Sequence, residues 1–171
     1  NQNRDNFLSQ VPDEWEKYIE IIPEEERNDL VKAYYKRLTS KNKNIRLKAA
    51  ERWAKWEAST SRLKKNNNSL HHFDDSQTAN AFSRIECHYF INKGFFKNDG
   101  WLLDNVSSIS HIPCIIVQGR YDVVCPMQSA WDLSKKLKNA KLIIVDNAGH
   151  SMLEEGIKNQ LIYETDKFFK S

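Results

Sequence analysis

The sequence predicts an α/β protein of uneven make-up: a helical region followed by a short strand–helix–strand–helix tail. Three observations carry this. Glycine is scarce, with 5 in 171 residues against the usual share of about 7%, and none precedes Gly94. The glycine-free stretch repeats its apolar residues at three- and four-residue steps, the period of helices. The last third instead holds two continuous apolar runs closed by Gly or Asp, as strands of a parallel sheet do.

The helical region opens at Pro12-Asp13-Glu14, where a proline and acidic side chains suit a first turn. Trp15, Tyr18, Ile19 and Ile22 then form one stripe. Pro23-Glu24-Glu25-Glu26 predicts a second helix start, carrying Leu30, Ala33, Tyr34 and Leu38. A third helix is expected from Asn44, with Ile45, Ala49, Trp53 and Trp56 on its apolar face. Lys64 to Ser69 is polar and aperiodic and reads as a loop. A fourth helix is expected over Ser76 to Asn92, and a short one after Asp99.

In the tail, Ile112-Pro113-Cys114-Ile115-Ile116-Val117-Gln118-Gly119 predicts a strand buried on both faces. Pro126 to Lys138 predicts a helix with Ala130, Leu133 and Leu137 inward, and Lys141 to Val145 a second strand. Ile157 to Phe169 predicts a closing helix with Leu161, Thr165, Phe168 and Phe169 toward the sheet. Such a unit is right-handed and parallel. Two strands do not make an independent parallel sheet, so the tail is expected to be the end of a larger one, with residues 1–107 as a helical domain and 108–171 as the sheet portion.

Composition excludes several function classes. Twenty-six Lys+Arg against 23 Asp+Glu leave a net charge of +3 with both signs interleaved, which gives no footprint for nucleic acid or a membrane surface. No apolar run approaches the ~20 residues of a spanning helix. Cys87, Cys114 and Cys125 are odd in number and lack metal-ligand spacing, so neither disulfides nor a metal is expected, and the compartment is expected to be reducing, the cytoplasm. His71-His72, His88 and His111 likewise lack a ligand pattern.

Chemistry is expected at the carboxyl ends of the two strands, where open parallel sheets place their sites. Gly119-Arg120-Tyr121-Asp122-Val123-Val124-Cys125-Pro126 follows the first strand, and Asp146-Asn147-Ala148-Gly149-His150-Ser151 the second. An Asp after one strand and a His after the next fits the order Ser, Asp, His of a hydrolytic triad. The plainer alternative makes Asp122 a cap for the following helix and His150 a loop residue.

Those two segments, together with Ala130-Trp131-Asp132-Leu133, Ser83-Arg84-Ile85-Glu86-Cys87-His88-Tyr89-Phe90, Trp53-Ala54-Lys55-Trp56-Glu57 and Tyr34-Tyr35-Lys36-Arg37-Leu38-Thr39-Ser40, resemble the C-terminal part of the prolyl iminopeptidases. These are α/β-hydrolase serine peptidases that release an N-terminal proline. The resemblance runs from Pro12 onward. It implies an α/β-hydrolase C-terminal portion, its last two parallel strands and helices preceded by a helical cap domain. It implies triad roles for Asp122 and His150, binding of the substrate's α-amino group by Glu57 and Glu86, a near-site thiol at Cys125, and no cofactor. The sequence itself supports Glu86, which shares a helix face with Ala79, Phe82 and Tyr89, where an anion calls for a partner. The plainer role for both glutamates is an ion pair with Arg52 or Arg84.

Two departures from the family pattern are Cys87 and Asp146-Asn147. A larger one is that none of the five glycines flanks a serine as G-x-S-x-G, and the family's HGGPG-like oxyanion loop is absent. The chain, which opens on Asn1 rather than Met, is therefore expected to be a C-terminal piece whose partner is the N-terminal half of the same protein. Alone it is expected to be inactive. The rival functions are a related capped esterase or amidase, and a non-catalytic binding module.

Overall fold

The computed structural model describes residues 11–64 and 75–169. The polar segment 65–69 and the pair His71-His72 lie outside them. The described chain divides into two compact units, one of residues 11–59 and 75–96, the other of residues 60–64 and 97–169.

The first unit is helical. Helix α1 (Pro12–Ile19) starts on its proline, and α2 (Leu30–Leu38) starts on Asp29, whose carboxylate accepts from the Lys32 amide. The second helix thus begins later than Pro23 suggests. Glu24–Glu26 forms only a 3₁₀ turn, and Glu26 is held there by Lys36 at 2.6 Å and Arg37 at 2.5 Å. Helix α3 spans Lys43–Thr60 and α4 spans Ser76–Ile91, the latter capped by Asp75 through the amides of Gln77 and Thr78. A cap of this kind contributes about 1 kcal/mol.

An aromatic cluster forms the centre of this unit. Tyr18 and Tyr34 stack with centroids 4.5 Å apart, Trp53 meets the Tyr34 ring edge-on at 5.2 Å, and Trp56 stacks on Tyr18 at 5.2 Å. The Tyr34 hydroxyl, fully buried, donates to the Tyr18 carbonyl at 2.6 Å, so its polar end costs little. Burial pushes that phenol well above its ordinary pKa. Ile22, Leu30, Ala33, Leu38, Ala49, Ala50 and Cys87 complete the core. Two faces differ from the sequence reading. Ile45 is exposed, and on α4 the buried line is Ala79, Ser83 and Cys87, with Phe82 and Glu86 half-buried beside it and Tyr89 exposed. Ser83 can face the core because its hydroxyl donates to the Ala50 carbonyl at 3.0 Å.

The second unit contains a short α5 (Trp101–Asp104), then β1 (Cys114–Gly119), α6 (Met127–Lys136), β2 (Ala140–Val145) and α7 (Glu155–Phe169). The strands pair in parallel, from Cys114 opposite Ala140 to Gly119 opposite Val145. Helix α6 packs on both strands and α7 on β1. The strands are half-buried along most of their length rather than buried on both faces. On α7 the buried residues are Ile157 and Glu164, while Thr165, Phe168 and Phe169 are exposed. Glu164 is accommodated by Lys141 Nζ, which donates to it at 2.7 Å from β2.

Candidate active site

The site is built where β1 and β2 end side by side. Beyond Gly119 and Val145 the two loops stay zipped: Arg120 N donates to the Val145 carbonyl at 3.0 Å, and Tyr121 N to the Ala148 carbonyl at 3.0 Å. Arg120 Nε also donates to the Asp146 carboxylate at 2.5 Å, joining the first residue after each strand. This close approach explains Gly119. A Cβ there would lie 2.7 Å from the Ala148 carbonyl oxygen and closer still to that of Gly149.

Asp122 is brought into this junction and buried, with a side-chain exposure of only 5%. Its charge is met by four donors. Oδ1 accepts from the amides of Val124 at 3.0 Å and Cys125 at 2.8 Å, and Oδ2 accepts from Gln118 Nε2 at 3.1 Å and His150 Nδ1 at 2.9 Å. A buried carboxylate with this many partners is a satisfied anion. Asp122 does not cap α6, whose N-cap is Pro126. Nor is His150 an unattached loop residue, because its ring is fixed by Asp122 across 28 positions of sequence. An ionised carboxylate only accepts, so Nδ1 carries the proton.

The His150 loop has its own support. The amides of His150 and Ser151 donate to the Ser61 carbonyl at 3.1 and 2.7 Å. The Glu154 carboxylate accepts from Gly149 N at 2.8 Å and Leu63 N at 3.3 Å. The imidazole is raised to about 9, first by the Cys125 side chain and then by Asp122, while burial works the other way. Cys125 is exposed; Cys87, in contrast, is buried, and burial together with the neighbouring Glu86 pushes its thiol up to about 12.

The two glutamates belong to the helical unit. Glu86, on α4, accepts from the Trp53 indole Nε1 at 2.7 Å. Glu57 lies half-buried near the end of α3, one helical turn past Trp53. Arg52 reaches Glu20 at 2.5 Å. Three residues that support the pair, Gln118, Glu154 and Ser61, are not marked by any motif in the sequence. Gln118 ends an apolar run, and the roles of the other two depend on backbone groups far away in sequence, so only Gln118 had a positional signal. Among the described residues no group of three His, Cys, Asp or Glu could hold a metal, and no helix is long and apolar enough to cross a membrane.

The chain is similar to several known proteins. A family model described as the alpha/beta hydrolase fold matches residues 1–157. A Leptolyngbya boryana protein named "Probable proline iminopeptidase" is 57% identical over 157 residues, covering 92% of this chain and 49% of that protein. The proline iminopeptidase of Arabidopsis thaliana is 51% identical, with 91% and 41% covered, and that of Neisseria gonorrhoeae 38% identical, with 88% and 47% covered. The chain thus spans about half the length of the curated relatives it matches, or somewhat less. The likeness to prolyl iminopeptidases seen in its motifs is borne out by these relatives, and the chain belongs to the α/β-hydrolase fold family.

Proposed function

We propose that these 171 residues are the C-terminal portion of a prolyl aminopeptidase, supplying two members of a Ser-Asp-His triad and the amine-binding part of its helical cap, residues 1–107. The observation that carries the reading is the buried Asp122 bonded to His150 at 2.9 Å, beyond the ends of two adjacent parallel strands, in a chain so similar to proteins named proline iminopeptidase. The nucleophilic serine and the oxyanion hole come from sequence outside this chain, which has no G-x-S-x-G.

In the proposed mechanism the serine attacks the carbonyl of an N-terminal proline while His150 Nε2 takes its proton. Asp122 holds the Nδ1–H tautomer and stabilises the imidazolium, which then returns the proton to the leaving amine. Glu57 and Glu86 bind the prolyl ammonium and restrict cleavage to a free N-terminus. Peptides with N-terminal proline are the substrates, no cofactor takes part, and the compartment is the cytoplasm.

The bond from Trp53 to Glu86 also favours a second reading, a capped hydrolase of another substrate in which Glu86 serves only the helical core. One experiment separates them in the intact enzyme. Asp122→Asn should lower turnover by about 10⁴ on the serine-protease precedent. Glu86→Gln should lower kcat/KM for proline amides by roughly ten- to a hundredfold, the loss of one charge-assisted hydrogen bond. A folded Glu86→Gln enzyme with normal proline-amide cleavage would leave the second reading standing. A folded Asp122→Asn enzyme with normal turnover would remove the triad from both.

A further inference from the structure

The Asp122–His150 pair depends on a third side chain. Gln118 is the last side chain of β1 before Gly119, and its carboxamide nitrogen has three acceptors within reach: Asp122 Oδ2 at 3.1 Å, the Cys125 carbonyl at 3.1 Å and the Gly119 carbonyl at 3.3 Å. All three are oxygens without hydrogens, so the amide orientation follows from chemistry. Turned over, the carboxamide would set its own oxygen against a carboxylate and two carbonyls. An NH₂ group has two hydrogens, and the two shorter contacts use both.

Those contacts span the Asp122 loop. One ends on the carboxylate oxygen that receives His150 Nδ1, the other on the residue whose amide donates to Asp122 Oδ1. The Asp122 carboxylate is therefore fixed at both oxygens. Gln118 itself is held by the strand, where it lies opposite Ile144 in the parallel register. A side chain on a regular strand is a firmer reference than the loop it holds.

We propose that Gln118 is a positioning residue for the hydrolytic pair, orienting Asp122 Oδ2 toward His150 Nδ1 by tying the Asp122 loop to the end of β1. It touches no substrate. The inference rests on the triad reading for its catalytic meaning, yet the geometry it describes can be measured without turnover.

The measurement is nuclear magnetic resonance of the 171-residue chain with labelled His and Gln side chains. In the wild type the Gln118 carboxamide protons should move with the His150 titration, because both groups bond one carboxylate oxygen. In Gln118→Met, similar in length but without N–H groups, the Nδ1–H resonance of His150 should broaden or vanish. The His150 titration should also fall from about 9 toward the ordinary 6.5, since the carboxylate contribution depends on alignment. The groups facing that ring are Asp122 and Cys125, and a parallel Cys125→Ala titration removes the thiol's part from the comparison. Gln118→His, which returns one ring N–H at a similar reach, should restore the Nδ1–H signal in part. Carboxamide protons that stay flat through the titration would overturn the proposal, and this reading needs no variant to fold. So would a folded Gln118→Met with an unchanged His150 signal and titration. Neither result bears on whether Asp122→Asn abolishes turnover, so the two hypotheses fail separately.

Discussion

His150 holds its proton more tightly than an ordinary imidazole, with consequences for both stability and chemistry. The Cys125 side chain is the first cause and Asp122 the next, and together they outweigh burial to reach about 9. Because the folded value lies above the unfolded 6.5, the protonated ring stabilises the fold. That contribution is complete below about pH 6.5 and is lost as pH rises through about 9. On the proposed reading His150 is a general base, which must be neutral to accept a proton, so its competent fraction grows over the same interval. Cys125→Ala should therefore lower the His150 titration and extend the neutral form toward neutral pH. It should also flatten the fall in urea midpoint between pH 6.5 and 9. A Cys125→Ala titration that coincides with the wild type would show that the thiol has no part in it. The Asp and His are legible in sequence because each follows a β-branched run that fixes where its strand ends. Ser61 and Glu154 are not, because a carbonyl and a carboxylate that meet backbone groups distant in sequence leave no local pattern, and Gln118 is marked only by its place at the end of an apolar run.

Elements are legible wherever one apolar period dominates, and drift where a polar residue takes a core position. Helices α3 and α4 and both strands stand within two residues of their expected starts. The second helix starts late because Asp29 supplies a better N-cap than Pro23, and Glu26 before it answers Lys36 and Arg37 instead. The buried lines of α4 and α7 depart from the apolar period for a related reason. Ser83 and Glu164 are buried through a carbonyl and a lysine, respectively, which hydrophobic periodicity cannot count. The junction of β1 and β2 gives the sharpest test at this scale. Gly119 faces backbone atoms, not a flexible side chain, so an added methyl cannot be relieved by rotamer change. Gly119→Ala should separate the two loops, cost about 1–3 kcal/mol as overpacking does, and lengthen the Asp122–His150 contact. A lowered denaturation midpoint together with a weakened His150 Nδ1–H resonance is the expected result. A variant as stable as wild type, with that resonance intact, would mean the junction is slack.

For the molecule as a whole, what it lacks matters as much as what it contains. A triad works as a unit, and loss of its nucleophile alone removes nearly all of the acceleration the three provide. On the proposed reading this chain supplies the acid and the base but no strained serine turn and no oxyanion donors, so neither attack nor charge stabilisation is possible within it. The second unit is also incompletely covered. Its two parallel strands are only half-buried, whereas parallel sheets are stable chiefly when both faces are covered. Leu102, Ile112, Tyr121 and Leu153 are exposed by half or more, in the unit that holds the pair. On the same proposed reading both deficits are met by one addition, a segment bringing further strands and the serine elbow. The purified 171-residue chain should accordingly show no cleavage of a chromogenic proline amide. Joining it behind the N-terminal half of the Leptolyngbya boryana relative, 57% identical over the shared region, should restore turnover. The same fusion should bury the exposed apolar residues, read as lost binding of a hydrophobic dye. Turnover by the isolated chain, free of contaminating peptidase and abolished by His150→Ala, would show that a nucleophile lies within these residues, and the proposed division of the triad would be wrong.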